Sequence, residues 1–179
     1  MRYEDPNDGV AHQSLTLRDG RTVMVRTIQP EDKDMLDEAF EKLCKEARYT
    51  RFFSTVRAVP TDILRPAAPS PEGHAVALVA LWGEGSEQVI TGGARYVTDT
   101  IGETCEFAVT VADDWHGLGL ARRLMETLID IARARGIRQM EGSVLSSNTS
   151  MLGLAARLGF KNAAYPGDYT VRLVSLDLQ

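Results

Sequence analysis

Residues 109–123 constrain the fold of this chain more than any other segment, because three kinds of structure follow one another within them. An alternating β-rich run leads into a short acidic turn, a loop with two alternate glycines, and the start of an amphipathic helix (VTVADDWHGLGLARR). Glycines let a backbone approach an anion closely, and a helix start offers unpaired N–H groups and the positive end of the helix dipole. The layout therefore predicts a phosphate site.

Two basic residues, Arg122 and Arg123, lie in the first turn of that helix. The helix dipole alone favours carboxylates at this end, so cations here suit a bound anion. The structural alternative is an ordinary strand-to-helix turn, because a bare Gly-x-Gly recurs by chance. Two other phosphate motifs are excluded. Arg122 occupies the place of the third glycine of a dinucleotide fingerprint, and no Gly-Lys-Ser/Thr follows as a P-loop requires.

The composition agrees with a small cytosolic protein of one domain. With 179 residues the chain is predicted to hold one domain, residues 14–179, after a loose lead-in of residues 1–13. The net charge of −5 argues against nucleic acid as a partner. No apolar run has the length of a membrane span, and Met1–Asp8 is too polar for a signal peptide, so we expect no membrane partner.

Cysteine and histidine are too sparse for a disulfide framework or a metal site. Cys44 and Cys105 lack metal-ligand spacing and are expected to be reduced thiols. The three histidines are scattered, without a metal-binding pattern, so we expect no metal.

Hydrophobic periodicity and turn residues predict an alternation of strands and helices. A proline-rich loop with prolines at 60, 66, 69 and 71 divides the chain. The predicted strands are 14–17, 22–28, 74–82, 89–97, 105–111, 137–144, 160–164 and 170–176. Four helices are predicted: one begins at 30–32, one covers 46–53, one runs from 120 to Gly136, and one is capped by 147–148 and ends at Gly159. This order predicts an α/β fold with a mixed sheet.

The loop resembles the acetyl-CoA signature of the GNAT superfamily of N-acetyltransferases, Gln/Arg-x-x-Gly-x-Gly/Ala. The stretch from His116 to Ala121 (HGLGLA) matches it, with His116 where Gln or Arg is usual. A second segment, from Asn148 to Phe160, resembles the family's Asn-x-x-Ala-x-x-Leu-Tyr-x-x-x-Gly-Phe in register. The resemblance extends over about residues 17–176, and two ordered motifs are far less frequent by chance than one.

The resemblance implies a mixed, mostly antiparallel central sheet flanked by helices, with a splay between the fourth and fifth core strands (Cys105–Val111 and Ile137–Val144). It implies that acetyl-CoA lies at this splay, as the acyl donor. The pantetheine arm would pair with the backbone of Val109, Thr110 and Val111, and the pyrophosphate would lie on His116, Gly117, Leu118, Gly119, Leu120, Ala121 and Arg122. Asn148 would contact the cofactor; a plain helix N-cap is the alternative for this residue.

The chemistry requires a neutral amine, although an alkyl ammonium titrates near pH 10, so a base must remove its proton. Glu106 is the candidate general base, because it lies on the strand that delivers the thioester and so could be near the amine. The resemblance also favours it, since many members carry a glutamate in this strand. Glu103 is the second candidate, and a solvated strand carboxylate is the structural alternative.

The family's frequent general-acid tyrosine falls on Ala155, so that acid is absent. A thiol titrates at about 8.5, and its anion therefore leaves moderately well without an acid. Three hypotheses follow: an active acetyltransferase with slow, pH-dependent turnover, a catalytically silent CoA-binding sensor, or a non-enzymatic interaction module of the same fold.

The acceptor is expected to be a primary amine, on a protein lysine or on a small molecule. Residues 46–53 (EARYTRFF) and the strand around Glu106 resemble the acetyltransferase domain of bacterial protein-lysine acetyltransferases. Packing of this aromatic helix onto the sheet is the alternative. A homodimer is left open.

Overall fold

Eight strands and three helices make up the part of the chain that this computed structural model describes, residues 12–43 and 75–179. The strands are β1 (Gln13–Thr16), β2 (Thr22–Thr27), β3 (Ala75–Trp82), β4 (Val89–Thr98), β5 (Thr104–Val111), β6 (Gln139–Leu145), β7 (Lys161–Tyr165) and β8 (Asp168–Asp177), and the helices are α1 (Lys33–Lys42), α2 (Leu120–Ala134) and α3 (Thr149–Arg157).

All eight strands form one sheet in the order β1-β2-β3-β4-β5-β6-β8-β7. Each neighbouring pair is antiparallel except β5 and β6, which run parallel. The predicted fold class, a mixed and mostly antiparallel sheet flanked by helices, is confirmed.

Helices cover both faces of the sheet, and this explains the sequence of β3. That strand reads AVALVALW and is buried from Val76 to Leu81, because a strand covered on both faces has no polar side. On one face, α2 packs Leu124, Met125 and Leu128, each with 0% exposure, into the larger of two buried apolar clusters, which we call the main core. On the other face, α1 packs against a smaller cluster that includes Val79.

Most predicted elements are present with ends shifted by one or two residues. Helix α2 ends as predicted before Gly136, which has a φ of +75° and donates from its N–H to the Arg133 carbonyl. Helix α3 begins after Asn148, whose side chain accepts a hydrogen bond from the Met151 N–H. The predicted helix at 46–53 and the proline-rich loop lie outside the described residues.

A buried ion pair fixes the start of α1 to β2. Two nitrogens of the Arg26 guanidinium donate to the two carboxylate oxygens of Asp32 at 2.6 and 2.7 Å, and the backbone N–H of Gln29 donates to Asp32 at 2.7 Å. The Asp32 side chain is only 3% exposed. Burial alone would raise the pKa of this carboxyl, but the hydrogen bonds from Arg26 and Gln29 outweigh it and hold the pKa below its ordinary value.

Among the described residues, no helix is long and apolar enough to cross a membrane.

Candidate active site

Strands β5 and β6 pair only at their first residues and then separate. Their register joins Thr104 to Gln139, Cys105 to Met140 and Glu106 to Glu141, and it ends there. On its other side, β5 stays paired with β4 as far as Val111, which lies opposite Gly92. The backbone of β5 beyond Glu106 therefore has one edge turned to the gap, as the predicted splay requires.

This gap opens into a cleft of about 880 Å³ that the two predicted motifs border together. Residues 107–111 of β5 form one wall, and Ser143 and Val144 of β6 form the other together with one side of α3 as far as Arg157. The loop of residues 116–119, called the glycine loop below, and the start of α2 close the end of the cleft that is nearest to Val111. Of the sequence-predicted cofactor residues, the cleft is lined by Val109, Thr110, Val111, His116, Gly117, Gly119, Leu120, Ala121, Arg122 and Asn148.

Two glycines shape the loop through backbone angles that other residues rarely adopt. Gly117 has a φ of +75° and Gly119, the N-cap of α2, has a φ of +87°. A Cβ at Gly117 would meet no described atom within 4 Å, and one at Gly119 would meet only the Arg18 side chain, at 3.6 Å. The absent side chains therefore leave the loop open to the cleft, where the first amides of α2 lack partners from a preceding turn.

The other loop residues attach the loop to the protein. The His116 ring Nε2 lies 2.9 Å from the Val111 carbonyl oxygen, which ties the loop to the end of β5. The half-buried Leu118 packs its side chain against the main core. Trp115 is buried, with the Arg21 guanidinium 3.9 Å from its ring centre. Trp115 is thus a packing residue beside the loop.

Arg18 is a site residue that sequence reasoning missed. It lies just beyond β1, yet its backbone N–H donates to the Leu118 carbonyl at 3.2 Å, and its guanidinium lies 3.4 Å from the Gly117 carbonyl oxygen. Its side chain lines the cleft. No local signal could have identified it, because 99 residues separate it from Gly117.

Three arginines face the cleft of a chain that is acidic as a whole. Arg18 and Arg122 lie at the loop, and Arg157 lies at the end of α3. The Arg122 guanidinium also donates to Glu126 at 2.8 Å, in an exposed pair within α2. Among the described lining residues, these three cations outnumber one carboxylate, that of Asp113, so the cleft is positive although the chain carries a net charge of −5.

Asn148 caps α3 and also lies at the cleft. Its Oδ1 accepts from the Met151 N–H at 3.1 Å, which is an N-cap interaction. The residue also lines the cleft, opposite β5.

The candidate base lies at the point where the strands part, on the face of the sheet that carries α1. Cys105 and Phe107 point into the main core on the α2 face, so the exposed Glu106 between them points to the α1 face. Glu141, its Cα partner on β6, shares this face, and its Oε1 accepts a hydrogen bond from Gln139. Two carboxylates therefore lie side by side on the face opposite α2, and sequence reasoning had not identified the second.

Glu103, the second candidate, precedes β5 and forms an exposed ion pair with Arg138 at 3.3 Å. Neither Glu103 nor Glu106 is among the described residues that line the cleft.

Ala155, at the family's tyrosine position, is only 1% exposed and belongs to the main core. Its methyl group therefore packs inside the protein.

Comparisons with known proteins agree with this architecture. The Acetyltransferase (GNAT) family model matches residues 35–160, and the chain belongs to this family. The chain is 35% identical over 159 residues to an acetyltransferase of Pseudomonas aeruginosa, covering 89% of this chain and 86% of that protein.

Two solved structures have the same fold. The GNAT domain of S. lividans PAT superposes with a TM-score of 0.81 at 26% identity, over 97% of this chain and 99% of that domain. The protein YncA of Salmonella typhimurium, solved with its cofactor acetyl-CoA, superposes with a TM-score of 0.64 over 88% of this chain and 94% of its own. Its 24% identity shows the fold alone.

Proposed function

We propose that this chain is an acetyl-CoA-dependent N-acetyltransferase that transfers the acetyl group directly to a primary amine. The observation that carries the proposal is the glycine loop, open at Gly117 and Gly119 and placed at the mouth of a cleft between diverging strands. Family membership and the acetyl-CoA bound to the Salmonella protein support the choice of ligand.

The pyrophosphate of acetyl-CoA lies on the loop in this proposal. Backbone amides from Gly117 to Arg122 and the dipole of α2 offer partial positive charge, and Arg18 and Arg122 add full charges. The pantetheine arm then runs along the edge of β5 that β6 leaves unpaired, beside Val109–Val111, with Asn148 on the opposite wall. An arm that continues the sheet in this way satisfies backbone groups that would otherwise lack partners.

The thioester comes to rest near the start of the splay, and the amine approaches from the α1 face. Helices α2 and α3 cover the other face, whereas Glu106 and Glu141 lie on this one. Two carboxylates attract a cationic amine, and Glu106 removes its proton before attack. The neutral nitrogen then bonds to the acetyl carbon and releases a second proton to water, the carbon–sulfur bond breaks, and the CoA thiolate leaves. A backbone N–H around Val109–Val111 stabilises the oxyanion.

A covalent acetyl-cysteine route is disfavoured by the position of the thiol. Cys105 precedes Glu106 on β5, but it is 1% exposed and faces the main core. Burial raises the pKa of this thiol to about 12, so at neutral pH it is protonated and a poor nucleophile. Direct attack by the amine needs no such group.

The departing thiolate takes its proton from water or from the solvent-facing cleft, because Ala155 offers no donor. The resulting turnover is slow and depends on pH. The acceptor is a protein lysine or a small amine. The resemblance of residues 46–53 and of the strand around Glu106 to bacterial protein-lysine acetyltransferases supports the first, and the paired carboxylates are compatible with both.

Release of CoA thiol from acetyl-CoA, measured across a panel of lysine peptides, folded proteins and small amines, tests this proposal. We expect release that requires an amine and yields the N-acetylated product. Tight binding of acetyl-CoA by calorimetry without release on any acceptor would instead favour the CoA-binding sensor.

A further inference from the structure

The aromatic ring of Phe107 occupies the place where β5 and β6 part. Phe107 and Gly142 directly follow the last paired residues, Glu106 and Glu141. A Cβ built on Gly142 would lie 2.5 Å from Cε1 and 2.7 Å from Cζ of the Phe107 ring. The ring therefore lies across the gap, on the backbone of Gly142, in space that any larger residue at position 142 would fill.

This ring is held firmly in place. Phe107 is only 7% exposed, and its ring packs against Phe160 with 5.2 Å between ring centres and 59° between the ring planes. Contact on two sides, with the Gly142 backbone and with Phe160, leaves the ring little freedom to swing away.

Phe107 also forms the inner end of the cleft. The lining begins with Phe107 on β5 and with Ser143 on β6, and it ends at the glycine loop. From Val111 to Phe107 the strand advances by about 13 Å, at roughly 3.3 Å per residue. A thioester whose pyrophosphate lies on the loop and whose arm follows β5 thus brings its acyl group towards this ring.

We propose that Phe107, lying on Gly142, determines which acyl groups the cleft accepts, admitting acetyl and excluding longer chains. This inference rests on the proposed function, because it takes acyl-CoA as the ligand and the splay as its path. An acetyl methyl ends before the ring, whereas each further methylene must enter the volume that the ring fills. Removing the ring exposes an apolar hollow above Gly142 that suits an alkyl chain.

Acyl-chain selectivity, measured by binding and by turnover, tests the inference. Calorimetry with CoA, acetyl-CoA, butyryl-CoA and hexanoyl-CoA is run on the wild type and on Phe107→Ala, together with thiol release on an active acceptor. For Phe107→Ala we expect the hexanoyl-to-acetyl ratio, in affinity and in kcat/KM, to rise by about tenfold or more, with affinity for CoA itself nearly unchanged. Phe107→Leu keeps a buried side chain and should shift the ratio the same way by less.

Met140→Ala is the matched control. Met140 is fully buried on β6 and is not among the described residues that line the cleft, so its truncation loosens the core without opening the inner end. We expect its hexanoyl-to-acetyl ratio to equal that of the wild type. An unchanged ratio in folded Phe107→Ala and Phe107→Leu would overturn the inference, as would a wild type that accepts hexanoyl as well as acetyl. Failure of the folded wild type to bind even CoA would overturn the proposed function itself.

Discussion

At the scale of single residues, the two glutamates beside the splay differ in what surrounds them. Glu106 belongs to the strand whose following residues line the cleft, and it is exposed on the α1 face. Glu141 lies next to it on β6, where its carboxylate already accepts a hydrogen bond from Gln139. On this difference we propose proton removal for Glu106 and a general attraction for cations for Glu141.

Glu106→Gln should therefore lower kcat by about a hundredfold at neutral pH, because a positioned base contributes roughly that much or more. Part of the loss should be recovered as the pH rises towards the pKa of the amine, since more acceptor is then neutral without help. Affinity for acetyl-CoA should not change. The measurement is kcat against pH, with calorimetry on the same samples.

Glu141→Gln is the control for this experiment, because it removes the same charge from the same face. We expect a higher KM for a cationic acceptor and an unaltered shape of the pH profile. If Glu106→Gln kept wild-type turnover at every pH, the base would have to be Glu103 or a chain of water molecules.

Arg18 supports a second prediction at this scale. Its backbone is tied to Leu118 and its guanidinium to Gly117, so the cation lies at the loop before any ligand arrives. Arg18→Ala should weaken acetyl-CoA binding by about tenfold, the usual effect of losing one charge-assisted hydrogen bond. Calorimetry provides the measurement.

Arg123→Ala is the matched comparison for Arg18. Arg123 is exposed on α2 beside Glu126 and is not among the described residues that line the cleft. Its removal should leave the affinity nearly unchanged. If both substitutions weakened acetyl-CoA binding equally, the effect would come from the overall positive charge and not from a contact made by Arg18.

At the scale of elements, the attachment of α1 to β2 depends on one buried ion pair. Asp32→Ala leaves the Arg26 charge buried without its partner, so we expect a loss of about 3–5 kcal/mol in the free energy of unfolding. Substituting Asp37, which forms an exposed pair with Lys33 inside α1, should have no measurable effect. Urea denaturation at neutral pH measures both.

The buried pair of Arg26 and Asp32 also predicts how the free energy of unfolding depends on pH. The folded protein holds the pKa of Asp32 below its unfolded value, so this stabilisation is fully present above the unfolded pKa. It is lost as the pH falls below about 4, through the lower pKa of the folded state. Asp32→Asn should reduce the slope of the unfolding free energy against pH in this acidic range. An equal slope in wild type and variant would contradict the lowered pKa of Asp32.

Elements with strong local signals could be predicted from the sequence, and contacts between distant elements could not. Alternation in 22–27 and the glycine after α2 were sufficient to predict β2 and the end of α2, because both depend on neighbouring residues. The closeness of Glu141 to Glu106 depends instead on a parallel pairing of three residues, and no local pattern encodes that register. The contact between Phe107 and Gly142 follows from the same pairing.

At the scale of the whole molecule, the candidate site exists only because separate segments meet at one gap in the sheet. The glycine loop and Asn148 came from two sequence motifs, and the structure brings both to the same cleft. Arg18 lies in the turn between β1 and β2, and this hairpin contacts the glycine loop although the two are far apart in sequence. The motifs thus indicated which segments border the candidate cleft, while its inner end and its charges required the tertiary structure.

Binding of acetyl-CoA to Gly119→Val, measured by calorimetry, tests the central claim most directly. A side chain at this φ of +87° strains the loop and blocks the approach of the pyrophosphate, so we predict affinity about a hundredfold weaker. Gly167→Val is the matched control: this glycine of the β7–β8 turn has a φ of +80° and open surroundings, so it carries similar strain away from the cleft. Its affinity should match that of the wild type. Wild-type affinity in folded Gly119→Val would contradict the assignment of the loop as the acetyl-CoA site.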